Sequence, residues 1–258
     1  MLIAHGLKLR RLDLYLQFDR PLAEDELARL RDAVRERGRG VPVAYLTGEK
    51  EFFSLPFTIT RDVLVPRPET EGLVEAALAF LATVPEPRLV DVGTGSGCVA
   101  VALLHRLPAA RALGTDVSAA ALAVARTNAD RHGVGARFDA REGSLLAPCA
   151  GDEAYGRYDA VVSNPPYIVR GDPSVAKAVA EHEPAAALFV EGRDPLVLAA
   201  ALAREALAAL RPGGLLALEV GHADGVAARA MLEGLGYTDV SVLPDLGGVP
   251  RIARGLRP

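Results

Sequence analysis

The stretch Leu89-Val90-Asp91-Val92-Gly93-Thr94-Gly95-Ser96-Gly97 decides the fold of this 258-residue chain. A short, β-branched apolar run stops at three alternating glycines, and an apolar pattern of helical period follows from Gly97 to Leu107. Strand, tight glycine turn and helix in that order make the first half of a βαβ unit. The pattern then repeats. Residues 112–116 read as a strand, 119–132 as a helix, and 137–142 and 158–163 as two further strands. Residues 196–210 read as a helix, with Asp194 expected at its N-cap and Pro195 at its first position. Leu215 to Val220 reads as a buried strand, Gly225 to Leu235 as a helix, and a strand pair closes the chain. Such alternation predicts an α/β fold: a mostly parallel, doubly wound sheet with helices on both faces.

Upstream the pattern changes. Residues 1–40 read as helical, with a break at Phe18-Asp19-Arg20-Pro21 and a second helix whose Leu27, Leu30 and Val34 share one face. Gly38 and Gly40 end it. Residues 51–53, 57–60 and 63–65 read as short strands, and Pro66-Arg67-Pro68-Glu69-Thr70 leads into a helix from Glu71 to Leu81. The expected organisation is a small helical domain over 1–48, a β-hairpin linker over 49–70 and the α/β domain over 71–258.

Composition narrows the class. Apolar runs are interrupted before about 18 residues accumulate, so no membrane-spanning helix is expected, and the amino terminus lacks the layout of a secretory signal. Cys98 and Cys149 are too few and too far apart for a disulfide framework, and five scattered histidines suggest no metal site. A cytoplasmic setting follows. The net charge is −4, and residues 1–48 hold 9 Lys+Arg against 7 Asp+Glu, leaving 20 against 26 in the rest. The α/β part is therefore acidic and ill suited to stable nucleic-acid binding.

Three motifs carry chemistry. In the loop Asp91-Val92-Gly93-Thr94-Gly95-Ser96-Gly97, Gly93, Gly95 and Gly97 let the backbone approach a ligand, and the helix start offers free N–H groups. Thr94 lies within it. A bare strand-to-helix turn would look similar. Asp116, ending the next strand, is placed to accept hydrogen bonds from ribose hydroxyls, although it could equally cap the helix after Ser118. In this βαβ context the pair points to nucleoside binding. Ser163-Asn164-Pro165-Pro166-Tyr167 follows the strand over 158–163. Two prolines are stiff and leave carbonyls free, and the Asn164 amide has one acceptor oxygen and two donors. That combination suits a flat –NH2 group, with Tyr167 able to stack on a planar substrate. A rigid strand terminator is the plainer reading. No nucleophile–base arrangement is evident. Direct displacement needs none, because its main requirement is alignment of the reacting atoms.

With these residues the sequence resembles the peptide chain release factor glutamine N5-methyltransferases. The matching segments are Pro42 to Gly48, Glu51 to Phe57, Val63 to Glu71, Asp91 to Gly97, Asn164 to Tyr167, Glu183-Pro184 through Leu188, and Asp245 to Arg251. The resemblance implies a Rossmann-like methyltransferase fold with an antiparallel last strand, S-adenosylmethionine as cofactor, and class I release factors as partners of a monomeric enzyme. The methylated group would be the glutamine of their Gly-Gly-Gln loop. It implies that Asn164 and the Pro165 carbonyl hold the amide, together with Pro166 and Tyr167. Arg67, Pro68, Glu69 and Glu183 help form the pocket, and Asp91, Gly93, Thr94, Gly95, Gly97, Asp116 and Asn164 face the cofactor. Where the family often has an acidic residue for the adenine amino group, Ser144 stands here. The family's helical domain is longer than residues 1–48, so a shortened one is expected. The alternatives are methylation of an adenine amino group in DNA or RNA, or of a ribosomal-protein glutamine. The block Val63-Leu64-Val65-Pro66-Arg67-Pro68-Glu69-Thr70-Glu71 favours the release-factor substrate.

Overall fold

The computed structural model describes residues 1–173, 175–245 and 247–258. Its centre is a sheet in which β3 (Arg88–Val92), β4 (Arg111–Asp116), β5 (Phe138–Glu142), β6 (Tyr158–Ser163) and β9 (Leu210–Glu219) run parallel. β11 (Pro250–Leu256) pairs antiparallel with β9, and β10 (Thr238–Pro244) pairs antiparallel with β11. The order is β10-β11-β9-β6-β3-β4-β5. The chain winds one way from β3 to β5 and the other way from β6 to β9. The switch point falls between β3 and β6, where open α/β sheets bind ligands at the carboxyl ends of their strands. This is the doubly wound sheet that the strand–helix alternation predicts.

The side chains of β3 show why both faces are covered. Leu89 joins one buried cluster, with Leu73, Leu81, Leu103 and Leu122. Val90 and Val92 join another, with Leu202, Leu216, Leu218 and Leu232. Alternation along a strand sends neighbours to opposite faces. The first face is packed by α5 (Glu71–Leu81), α6 (Cys98–Arg106) and α7 (Ala119–Arg131), and the second by α10 (Val197–Ala209) and α11 (Gly225–Gly234).

Four short helices precede the sheet: α1 (Leu2–Gly6), α2 (Arg11–Leu16), α3 (Glu24–Gly38) and α4 (Val43–Thr47). A hairpin follows, of β1 (Glu49–Phe52) and β2 (Leu55–Thr58). Its tip is Phe53-Ser54, both at positive φ (51° and 61°), which gives the strands a matching twist. Such a backbone is costly for phenylalanine. It is held by the Phe53 N–H, which donates to Glu71 Oε1 at 2.8 Å. Residues 63–65, read above as a strand, are not one. Val63 sits in a bend, its N–H bonded back to Thr60 O, and Val65 donates its N–H to the Glu183 carboxylate instead of to a neighbouring strand. The helix expected from residue 196 spans Val197–Ala209 with Leu196 and not Asp194 at its N-cap, because Asp194 Oδ1 accepts from Leu196 N in a local turn instead of capping the helix. The segment after β6 carries β7 (Ile168–Val169), α8 (Lys177–His182), α9 (Ala185–Leu188) and β8 (Phe189–Val190), with β7 and β8 paired in parallel.

One buried side chain ties the hairpin to the sheet. Asn128 on α7 is 0% exposed. Its Oδ1 accepts from Thr58 N at 2.7 Å, and its Nδ2 donates to Thr58 O at 3.0 Å and Ser96 O at 2.9 Å. The hairpin and the glycine loop thus share one anchor. Replacing Asn128 by alanine leaves those three backbone groups short of partners, an expected loss of about 3 kcal/mol. Thermal melts of Asn128→Ala should show Tm lowered by about 5–10 °C relative to the parent.

Candidate active site

The strand ends are level. Val92 of β3 pairs with Thr115 of β4 and Ser163 of β6, and Ser163 pairs with Leu218 of β9. The next residues, Gly93, Asp116, Asn164 and Glu219, therefore leave the sheet side by side. Neighbouring strands lie about 4.8 Å apart, so motifs distant in sequence meet above this edge.

The glycine loop is shaped from below. Gly93, Gly95 and Gly97 have φ of 69°, 53° and 78°. A Cβ on Gly93 would meet nothing within 4 Å, whereas one on Gly97 would lie 3.1 Å from Ala125 Cβ. Gly97 therefore serves the packing of α6 on α7, and Gly93 keeps its surroundings open. Asp91 is buried under the loop. Its Oδ2 accepts from Thr94 Oγ1 at 2.7 Å and from Ala100 N, in the first turn of α6, at 3.2 Å. That satisfies one orphan donor of the helix start. Asp116 binds the loop from the side: Gly95 N donates to its Oδ2 and Ser118 N to its Oδ1, each at 3.0 Å. The helix-start role is taken by Ser118, whose Oγ accepts from Ala121 N.

A cavity of about 270 Å³ lies above these loops. Gly93, Gly95, Asp116, Ser144, Asn164, Pro165 and Pro166 line it. Asp91, Thr94 and Gly97 lie beneath it and not on its wall. The wall also includes Leu64, Val117, Leu145 and Leu198, which sequence reasoning missed. Val117 follows the acidic strand end Asp116 directly, the one trace of it in the sequence, and it is 61% exposed. A second, narrower cavity of about 80 Å³ opens beside it, lined by Leu64, Arg67, Asn164, Pro165, Pro166, Tyr167 and Leu188 among others. Leu64, Asn164, Pro165, Pro166 and Ala187 belong to both, so they form the partition between the cavities.

The partition is braced by ionic and polar contacts. Arg67 pairs with Glu183 at 2.6 Å, and Val65 N donates to the other Glu183 oxygen at 3.1 Å, while the Glu183 side chain is 1% exposed. Glu183 thus fixes the wall from behind and lines neither cavity. Pro68 is exposed, and with Glu69 it belongs to the short turn Pro68–Thr70 beside the wall. Asn164 Nδ2 donates to Thr70 Oγ1 at 3.1 Å. The Tyr167 hydroxyl donates to Glu219 Oε1 at 3.3 Å, and burial next to Glu219 pushes that phenol up to about 12. Glu219 was also missed by sequence reasoning. Its only trace is a glutamate closing the apolar run Leu215-Leu216-Ala217-Leu218. Among the described residues no group of three or more His, Cys, Asp or Glu could hold a metal ion, and no helix is long and apolar enough to cross a membrane.

The PrmC N-terminal domain family matches residues 1–48, and the methyltransferase small domain family matches residues 73–202. The release factor glutamine methyltransferase of Chlorobaculum tepidum is 42% identical, over 97% of this chain and 86% of its own length. That of Cereibacter sphaeroides is 43% identical, over 100% of this chain and 89% of its own. Among solved structures, the hMettl16 catalytic domain in complex with MAT2A 3'UTR hairpin 1 superimposes with a TM-score of 0.61 at 18% identity. It covers 79% of this chain and 74% of that one, a likeness of fold alone.

Burial raises the Asp91 carboxyl from 3.8 to about 7, against the pull of the Thr94 hydroxyl and the Ala100 N–H. With the folded value above the unfolded one, the folded chain keeps this proton after the unfolded chain has lost it. The resulting stabilisation is complete below the unfolded value and is lost as pH rises through about 7. Asp91→Asn has no such proton. Urea melts at several pH values should show the stability of the parent relative to Asp91→Asn falling between about pH 4 and about pH 7. A difference that stays flat would mean that Asp91 is charged throughout.

Proposed function

The chain belongs to the family of release factor glutamine methyltransferases, and from that premise we propose that it methylates the glutamine side-chain amide nitrogen in the Gly-Gly-Gln motif of class I peptide chain release factors. The methyl donor is S-adenosylmethionine. One observation carries the reading: Asn164, Pro165 and Pro166 divide a nucleoside-sized cavity from a narrow one. A donor on one side and a flat amide on the other would meet across that partition.

The larger cavity fits the cofactor by its own chemistry. Gly93 and Gly95 expose backbone without side chains, Asp116 offers carboxylate oxygens for ribose hydroxyls, and Val117, Ala121 and Leu145 supply apolar surface for a planar base. Ser144 places a hydroxyl near the base. When bound, the cofactor supplies an electrophilic methyl group on a positively charged sulfur. Asp91, Thr94 and Gly97 act from beneath, as supports of the loop.

In the narrow cavity, the Asn164 side-chain oxygen and the Pro165 carbonyl accept the two amide hydrogens of the substrate, and Pro166 and Tyr167 confine its plane. An amide nitrogen is a weak nucleophile because its lone pair is delocalised into the carbonyl. As the N–C bond forms and the donor's C–S bond breaks, acceptors on both N–H bonds would raise its electron density and stabilise the positive charge that develops. Loss of one of those protons would return the methylated amide to neutrality. Stiff prolines hold this alignment without rearrangement. Arg67 and Glu183 keep the outer wall in place, with Pro68 and Glu69 at its rim. Residues 1–48 are assigned to docking of the release factor, residues 49–70 to the linker and residues 71–258 to catalysis, in a monomer that acts in the cytoplasm.

The test is transfer of labelled methyl from S-adenosylmethionine to a purified class I release factor, beside one whose Gly-Gly-Gln is changed to Gly-Gly-Ala. Label in the first and none in the second is expected. Asn164→Ala should lower kcat by about 10²-fold or more while Asp116→Ala mainly weakens cofactor binding, by about tenfold. Equal labelling of both factors, or of neither, would overturn the substrate assignment.

A further inference from the structure

Leu64 is half-buried and lines both cavities, and each of its neighbours is held by a side chain from elsewhere in the fold. Val63 and Val65 sink their own side chains into the hydrophobic cluster that contains Phe52, Phe57 and Ile59. The Tyr45 hydroxyl donates to Val63 O at 2.7 Å, and Val65 N donates to Glu183 Oε2 at 3.1 Å. The carbonyl before Leu64 and the N–H after it thus find side-chain partners, in a segment with no strand to pair with. Tyr45 lies in α4, inside residues 1–48 that match the PrmC N-terminal domain family. It belongs to the segment Pro42 to Gly48, which neither cavity leaves with a role of its own. The same helical part touches the other end of the clamp. His182, which directly precedes Glu183, donates from Nε2 to Arg39 O at 3.0 Å, and a Cβ on Gly40 would lie 3.0 Å from Ala178 Cβ.

The geometry points to Tyr45 as a positioning residue for methyl transfer: its hydroxyl, contributed by the helical part of the chain, fixes Leu64 between the donor and acceptor cavities. That role presupposes methyl transfer across the partition, and it gives residues 1–48 a task in the chemical step apart from docking. A displacement needs its reacting atoms in line, and misplacing them by about 1 Å can cost about 10²-fold in rate. Leu64 borders both cavities, so a drift of Leu64 alters both walls at once. The Glu183 contact alone leaves the segment free to pivot about one hydrogen bond, and the Tyr45 contact removes that freedom. Burial, and next to it the charge of Glu183, hold the Tyr45 phenol above its ordinary value, so the hydroxyl keeps its proton and stays a donor.

Tyr45→Phe removes one oxygen and leaves the ring in place. With S-adenosylmethionine and a class I release factor, it should lower kcat by about tenfold while KM for the release factor stays within about twofold of the parent. In a Leu64→Ala background the same change should cost less than about twofold, because a residue acting through Leu64 loses its object when that side chain is cut back. A second readout needs no substrate. The Val65 amide proton, followed by NMR, should exchange with solvent about tenfold faster in Tyr45→Phe, since loosening one end of the clamp opens the other. Parental kcat in Tyr45→Phe overturns the proposal, and a raised KM beside it would make Tyr45 a docking residue instead. Val65 exchange at the parental rate overturns it as well, and so does a loss undiminished in the Leu64→Ala background. A parent chain inert toward the release factor sinks the proposed substrate, and Val65 exchange then decides the clamp on its own.

Discussion

The pairing of β3 with β4 on one side and β6 on the other sets Val92, Thr115 and Ser163 in a single row, and every feature of the site descends from it. Gly93, Asp116 and Asn164 are each the next residue along. A slip of one residue in any of these pairings would turn that strand's side chains to the opposite face. The register is secured by burial on both sides, since Val90 and Val161 are 0% exposed and Leu89 is 1% exposed. The apolar alternation that folds the sheet therefore also positions the chemistry. The Ser163 hydroxyl adds a lateral tie, donating to Val92 O at 2.7 Å within the row itself.

Above that row, the walls come from segments with little regular structure of their own, and buried polar side chains hold them. Asn128 binds the hairpin and the glycine loop together, and Glu183 binds residues 65 and 67 to the segment after β6. Each replaces the ladder hydrogen bonds that an extended segment would otherwise lack. The cost of burying Glu183 is offset because one oxygen meets a guanidinium and the other a backbone N–H. Both anchors are long-range, and both draw the walls toward the partition where Asn164 sits.

The division between what the sequence reveals and what it hides follows from this arrangement. The strands, the glycine loop, Asp116 and Asn164 to Tyr167 are legible because strand period, glycine spacing and strand ends are local patterns. Residues 63–65 have the composition of a strand and fail to be one, because no neighbouring strand is there to pair with them. Composition reports propensity and not partners. Asn128 and Glu219 are silent in sequence for a related reason. One lies in the middle of a helix and the other at the end of an apolar strand, and only the folded chain brings their partners within reach. Asp91 shows a subtler limit. Its place in the glycine motif suggests a surface facing the cavity, yet the carboxylate bends under the loop to meet Thr94 and Ala100.

The charges around the two cavities bear on the choice among flat nitrogen substrates, since Asn and Pro in sequence suit an adenine amino group as well as a glutamine amide. The described residues that line the larger cavity include Asp62 and Asp116 and no cation. In the narrow cavity the lining cation is Arg67, and its charge is already matched by Glu183 at 2.6 Å. Phosphate neutralisation supplies much of nucleic-acid affinity, and the described residues lining the two cavities offer no cation besides the already paired Arg67. A positively charged donor gains from the same field. A neutral glycine-rich protein loop carries no charge for that field to repel. The charges that line the two cavities thus add a distinction between substrates that Asn164 and its prolines alone would treat alike.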